Sequence, residues 1–153
     1  MMLSKTLKIA VPFLWLGMVL AISFMEAPLK FQAPGITIPL GLGIGRLVFF
    51  TLNKMEIVCG LLLLFAFLRT RPNSRTMLMT FGLAVVILLL ETVWLLPVLD
   101  ARAELVIAGT ASPFSNSHVV YIVFDAIKLI SLAVLGIATT RRMISGGSHE
   151  IGH

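Results

Sequence analysis

The sequence predicts an all-α fold, an integral membrane four-helix bundle, and three observations carry that prediction. Hydrophobic residues make up 58% of the 153 and charged residues only 12%, about half the usual charged share of a soluble domain. Apolar runs of about twenty residues, enough to cross a bilayer core, recur four times, at about 9–28, 47–68, 76–99 and 118–138. The basic residues gather at the ends of those runs, where they meet headgroups and set topology. The chain therefore reads as one four-span domain, 1–140, followed by a polar, Gly-rich and disordered cytoplasmic tail, 141–153.

The first span carries Pro12 in its opening turn, where a missing N–H does no harm. Lys5 and Lys8 before an apolar run raise the question of a signal peptide, but Glu26-Ala27-Pro28-Leu29 offers no small-x-small cleavage site. It reads as an uncleaved span with Trp15, Val19, Ser23 and Glu26 on one face. The stretch KFQAPGITIPLGLGIGR comes next. Gly41, Gly43 and Gly45 are not a phosphate loop, because no strand precedes them and no Lys-Ser/Thr follows. The ordinary reading is an interfacial loop; a broken half-helix lining a cavity is the other.

The second span aligns Asn53, Glu56, Cys59, Gly60 and Leu63, with Lys54 nearly opposite and long enough to snorkel outward. RTRPNSR, 69–75, reads as a compact basic turn. The third span aligns Thr80, Ala84, Glu91, Trp94 and Val98, and Pro97 is expected to kink or end it. SPFSNS then supplies Ser115–Ser117 as a cap for the fourth span. In that span, His118, Tyr121, Asp125, Lys128, Gly136 and Thr139 form one stripe, and Val119, Ile122, Val123, Ile127, Ile130 and Val134 cover the other side. The first stripe suits other helices and the second suits lipid.

The charges inside the spans are the informative part. Asp125 and Lys128, three residues apart, share a face and can pair. Counted at 1.5 Å per residue from the nearest basic anchor, Glu56, Glu91, Asp125 and Lys128 all lie roughly 20–24 Å from one edge of a core about 30 Å thick. Glu26 lies slightly further out. A charge near the bilayer centre costs about 2.5–3.5 kcal/mol on insertion scales, so these side chains must face inward and meet partners or water. Two arrangements answer this. Lys128 bridges Asp125 and one glutamate to fix helix register, or an outward-opening, water-filled vestibule lets the carboxylates bind a cation or relay protons. Around that level, Tyr121, His118 and Asn53 complete the candidate ligand-binding set with Glu56, Glu91, Asp125, Lys128 and Glu26.

Other chemistries find little support. The lone Cys59 excludes an internal disulfide, a CxxC redox pair and a cysteine-built zinc site. Met25, Met55 and Cys59 lack the spacing of a copper site and read as packing. No nucleophile–base pair or metal-ligand spacing appears, so no catalytic residue, metal or cofactor is assigned. The +5 charge is topological and does not mark a nucleic-acid partner. The expected partners are the lipid bilayer and a second copy or another membrane protein.

The Trp15-x-Gly17 pair with Pro28, Phe49-Phe50 at the second span, Pro97 closing the third and His118 opening the fourth resemble one known family. It is a family of small four-span membrane proteins of unknown function that includes eukaryotic transmembrane protein 205. The resemblance implies a four-helix fold and brings no reaction with it. Seven basic residues, Lys5, Lys8, Arg69, Arg71, Arg75, Arg141 and Arg142, fall on one side of the four-span layout and Lys30, Arg46 and Arg102 on the other. The expected setting is a bacterial cytoplasmic membrane with both termini cytoplasmic. In function the sequence supports a small transporter-like or ion- or proton-responsive protein. The alternatives are a non-catalytic subunit or scaffold whose charges fix packing, and a membrane enzyme using the same carboxylates.

Overall fold

The computed structural model describes residues 2–70, 74–112 and 116–147. Four helical runs are long and apolar enough to cross a membrane: α1, Leu3–Gln32; α2, Ile38–Arg69; α3, Arg75–Ile107; and α4, Asn116–Ser145. No strand occurs among the described residues. In lipid this is the economical solution, since a helix satisfies its backbone hydrogen bonds within one segment. Both α1 and α3 pack against α2 and α4, so helices adjacent in sequence are adjacent in space and α4 closes the ring against α1. Large apolar side chains cover the outside: Leu47 is 74% exposed, Met79 72% and Val93 75%. An apolar exterior of this extent belongs in a bilayer. The protein is a membrane-embedded helical bundle.

At the end that carries the chain termini, α1 is tied to the last turn of α2. Ser4 Oγ donates to the Ala66 carbonyl at 2.9 Å, and Lys8 Nζ donates to the carbonyl and, at 2.6 Å, the hydroxyl of Thr70. A cation at a helix C-terminus meets carbonyls that have no intrahelical partner. At the distal end, Arg46 of α2 holds Asp100 and Glu104 of α3 at 2.5 and 2.9 Å. The α1–α2 connection is a turn closed by Ile36 N–H donating to the Ala33 carbonyl. Pro34 and Gly35 occupy its centre, with Gly35 at φ 81°, as a type II turn requires.

Several elements differ from the sequence reading. The glycine run is helical: α2 begins at Ile38, capped by Thr37 Oγ1, and Gly41, Gly43 and Gly45 lie in its opening turns. All four runs outlast the expected spans, and the last helix continues to Gly147, so the first seven residues of the expected disordered tail, 141–147, are helical. The residues at 71–73 and Ser115 fall outside the described residues, so the expected basic turn and the Ser115 part of the cap do too. Pro97 does not end α3. Instead the helix widens to π spacing over Glu91–Leu95, with Leu96 N–H reaching back to the Glu91 carbonyl, and continues to Ile107. The same device precedes Pro28 in α1, where Leu20–Glu26 is π and Ala27 N–H donates to the Ile22 carbonyl. A proline has no N–H and its ring crowds the carbonyl four residues back; a wider turn relieves both demands. The widening also rotates the remainder of α3 about its axis. Trp94 and Val98, aligned in the sequence with Glu91, are 52% and 38% exposed, while Glu91, Leu95 and Leu96 are buried.

The stripe on α4 is the packed face. Tyr121, Asp125, Lys128 and Thr139 are at most 3% exposed, and the six Val and Ile residues of the opposite side all face outward. A Cβ at Gly136 would sit 2.7 Å from the ring of Phe13 on α1. That ring is 43% exposed and can swing aside for one methyl, but a leucine also displaces α1. Gly136→Leu is expected to destabilise by about 1–3 kcal/mol, and Ile127→Ala, on the lipid face, to change little. Equal melting temperatures for the two variants in detergent would contradict this packing.

Candidate functional site

Each helix sends one or two polar side chains to a common level. From α4 come Asp125 and Lys128, from α2 Glu56, from α3 Glu91 at the start of its π segment, and from α1 Trp15. The four charged residues are 0–1% exposed and Trp15 is fully buried. Lys128 is the centre. Its Nζ lies 2.6 Å from Glu56 Oε1 and 2.9 Å from Asp125 Oδ1, and it donates a short bond to Glu91 Oε2. Trp15 Nε1 donates to the same Glu56 oxygen at 2.8 Å.

The cluster is crowded with acceptors and short of donors. Asp125 Oδ1 is close enough to Lys128 to feel its charge but lies off the hydrogen-bonding direction, and Asp125 Oδ2 and Glu91 Oε1 have no hydrogen-bond partner at all. Buried polar atoms are normally paired, and these oxygens are exceptions to that rule. Glu56, Glu91 and Asp125 present one oxygen each within 4.8 Å of one another. Sequence spacing offered no metal-ligand set because these three acids come from three helices. A small cation entering there would compete with the ammonium already in the middle.

Toward the distal end, Tyr121 lies one turn above Asp125 and meets Phe49 edge-on, ring centroids 5.2 Å apart at 78°. With Leu95 and Leu96 this pair forms an apolar layer above the charges. Beyond it the helices splay around a cavity of about 420 Å³ that is lined by Tyr121 and His118 but by none of the clustered acids. The sequence reading of one open vestibule holding the carboxylates is therefore corrected. A closed cluster and a separate cavity stand one above the other, with Tyr121 between. Two further candidates stand apart from the charges. Asn53 Nδ2 donates to Thr92 Oγ1 at 2.8 Å, tying α2 to α3 one turn from Glu56. Glu26 is not in the cluster: it pairs with Lys30 at 3.4 Å and is 32% exposed, because the π turn of α1 and its position near the helix end carry it outward. His118 is exposed at the cavity mouth.

Two residues of the site escaped sequence reasoning. Trp15 sat on the inner face of the first span, yet nothing in its position marked it as the donor to Glu56. Lys30 read as a surface anchor, whereas its side chain folds inward, 10% exposed, onto Gly45 and the rings of Phe31 and Phe49. No protein-family model, curated protein or solved structure matches the chain.

Proposed function

We propose that this is a small transporter-like, proton-responsive membrane protein whose buried cluster takes up and releases protons. One observation carries the reading: three carboxylates share a single ammonium at 0–1% exposure inside a membrane bundle. Fully ionised, the group holds two more negative charges than positive. An excess of that size in a low-dielectric interior is unfavourable by several kcal/mol per charge, so protons are its natural counterions. The partnerless Glu91 Oε1 and Asp125 Oδ2 are the atoms that would carry them. Tyr121 connects this level to the cavity side, which makes the distal end the port of exchange. A four-span chain has little room for alternating access within one copy, so flux favours a homo-oligomer or a membrane partner protein.

The scaffold reading keeps one specific support. Lys128 gathers acids from α2, α3 and α4 at once, as a device fixing helix register would. Reconstitution in liposomes with an internal pH dye separates the two. Proton movement is expected for wild type and lost in Glu91→Gln and Asp125→Asn. Movement that is absent in wild type, or unchanged in both variants, would reject the transport reading in favour of the scaffold.

The proposed setting is a bacterial cytoplasmic membrane with both termini inside, on the strength of the seven-to-three distribution of basic residues. In a Cys59→Ala background, an impermeant thiol reagent on intact cells is expected to label Thr110→Cys and spare Asn73→Cys; labelling at 73 would reverse the orientation. Kinship with the four-span family that includes transmembrane protein 205 rests on the short motifs alone and forms part of the proposal.

A further inference from the structure

The distal cavity shares Tyr121 with the buried cluster but has a chemistry of its own. Its volume of about 420 Å³ falls within the range of small-molecule sites. Phe24, Phe31, Phe49, Phe50, Leu96 and Leu99 make most of its wall apolar and largely aromatic. Among the polar groups that line it, Arg46 is held by two carboxylates, Asp100 and Glu104, at 2.5 and 2.9 Å. Lys30 is not. Its side chain is nine-tenths buried, yet its hydrogen bond to Glu26 is 3.4 Å long, against about 2.7–2.9 Å for a good charge-assisted bond. Its other neighbours are Gly45, whose missing Cβ would lie 2.8 Å from Nζ, and the faces of two phenyl rings at 5.4 and 5.6 Å. An ammonium has three protons to donate, so this one is under-used. Seven residues earlier on α1, Ser23 Oγ is buried beside Tyr121 and makes no hydrogen bond of normal geometry.

We propose that the cavity binds an amphiphile with a single anionic oxygen head, a carboxylate or phosphate on an apolar chain. The head accepts from Lys30 and Ser23, and the chain lies among the phenyl rings. The position suits such a molecule. Lys30 is two residues from the end of α1, at the level where hydrocarbon gives way to headgroups, so a ligand dissolved in the bilayer can enter sideways. An uncharged ligand would fill the aromatic space but leave the ammonium with no more than its long bond to Glu26 and the two ring faces.

Native mass spectrometry of the delipidated full chain in a non-ionic detergent tests this with dodecanoate, dodecyl phosphate and dodecanol as probes. Both anions are expected to bind at least about tenfold more tightly than the alcohol, the worth of one charge-assisted hydrogen bond. Lys30→Gln should abolish that preference. Ser23→Ala, which leaves every charge in place, should weaken dodecanoate and not dodecanol. Ala103→Phe, filling the cavity from α3, should reduce binding of all three. Displacement of dodecanoate by phosphatidylglycerol assigns the site to a membrane lipid, and failure to displace assigns it to a single-chain acid or phosphate. Equal binding of dodecanoate and dodecanol to the wild type, or a preference that survives both Lys30→Gln and Ser23→Ala, would overturn the proposal. Glu91→Gln is expected to leave the preference intact, so failure here and failure of proton movement are separable.

Discussion

Lys128→Met is expected to be among the most damaging single substitutions in the protein. It removes the ammonium that touches Glu56, Glu91 and Asp125 together, leaving three carboxyl groups converging on an apolar side chain. Breaking a buried pair by deleting one partner costs about 3–5 kcal/mol, and here three partners are stranded at once. The geometry also changes which rescue works. If Lys128 paired with Asp125 alone, Asp125→Leu added to Lys128→Met would restore stability. Glu56 and Glu91 remain in the double variant, so recovery should be partial. It should become near-complete only when Glu56→Gln and Glu91→Gln are added. Thermal unfolding in detergent across this series is the measurement. A Lys128→Met protein as stable as wild type would refute the buried cluster, and full recovery in the double variant would refute the role of the two glutamates.

Trp15→Ala should come next in severity. Trp15 is enclosed by the other helices: it is 0% accessible, lies against Gly60 of α2, shares one core with Leu88 of α3 and Leu132 of α4, and donates to Glu56. Truncation leaves a large void in the terminal-side core, worth about 3–5 kcal/mol, and removes a donor from an acceptor-rich cluster. Trp15→Phe divides these contributions. It keeps most of the ring volume and loses the N–H, for an expected loss of about 1–3 kcal/mol. The difference between the two variants in an unfolding titration measures packing. If Phe is as damaging as Ala, the hydrogen bond to Glu56 dominates; if Phe is neutral, Glu56 does not need that donor.

The four-helix fold and the level of the charges were legible because both depend on counting. Span length follows from bilayer thickness, and equal distances from basic anchors place Glu56, Glu91, Asp125 and Lys128 at one depth. The inner stripe of α4 was legible for a related reason: that helix is regular, so 100° per residue holds along it. The same rule fails on α3 beyond Glu91. A π turn inserts extra residues into the winding, and Trp94 and Val98 emerge outside. Pro97 signalled an irregularity but not its kind, since a break, a kink and a widened turn all answer the missing N–H. The glycine run misled because glycine punctuates helices in water, whereas in lipid an unpaired backbone is the greater penalty. Partnerships between helices, such as Trp15 with Glu56 or the inward fold of Lys30, depend on rotamers and on which neighbour lies opposite, and no spacing within one helix records them.

The shared ammonium also sets an order on how the chain becomes a protein. α4 brings its own acid and base, Asp125 and Lys128, and enters the bilayer close to neutral. α2 and α3 do not: Lys54, two residues from Glu56, is turned to the outside, and Glu91 has no base near it on α3, so both acids are inserted before the lysine they meet has been made. Until residue 128 emerges, each must travel as a neutral acid or wait near the membrane surface. The last helix is thus both the closing wall of the bundle and the element that supplies the second and third with the base their acids meet.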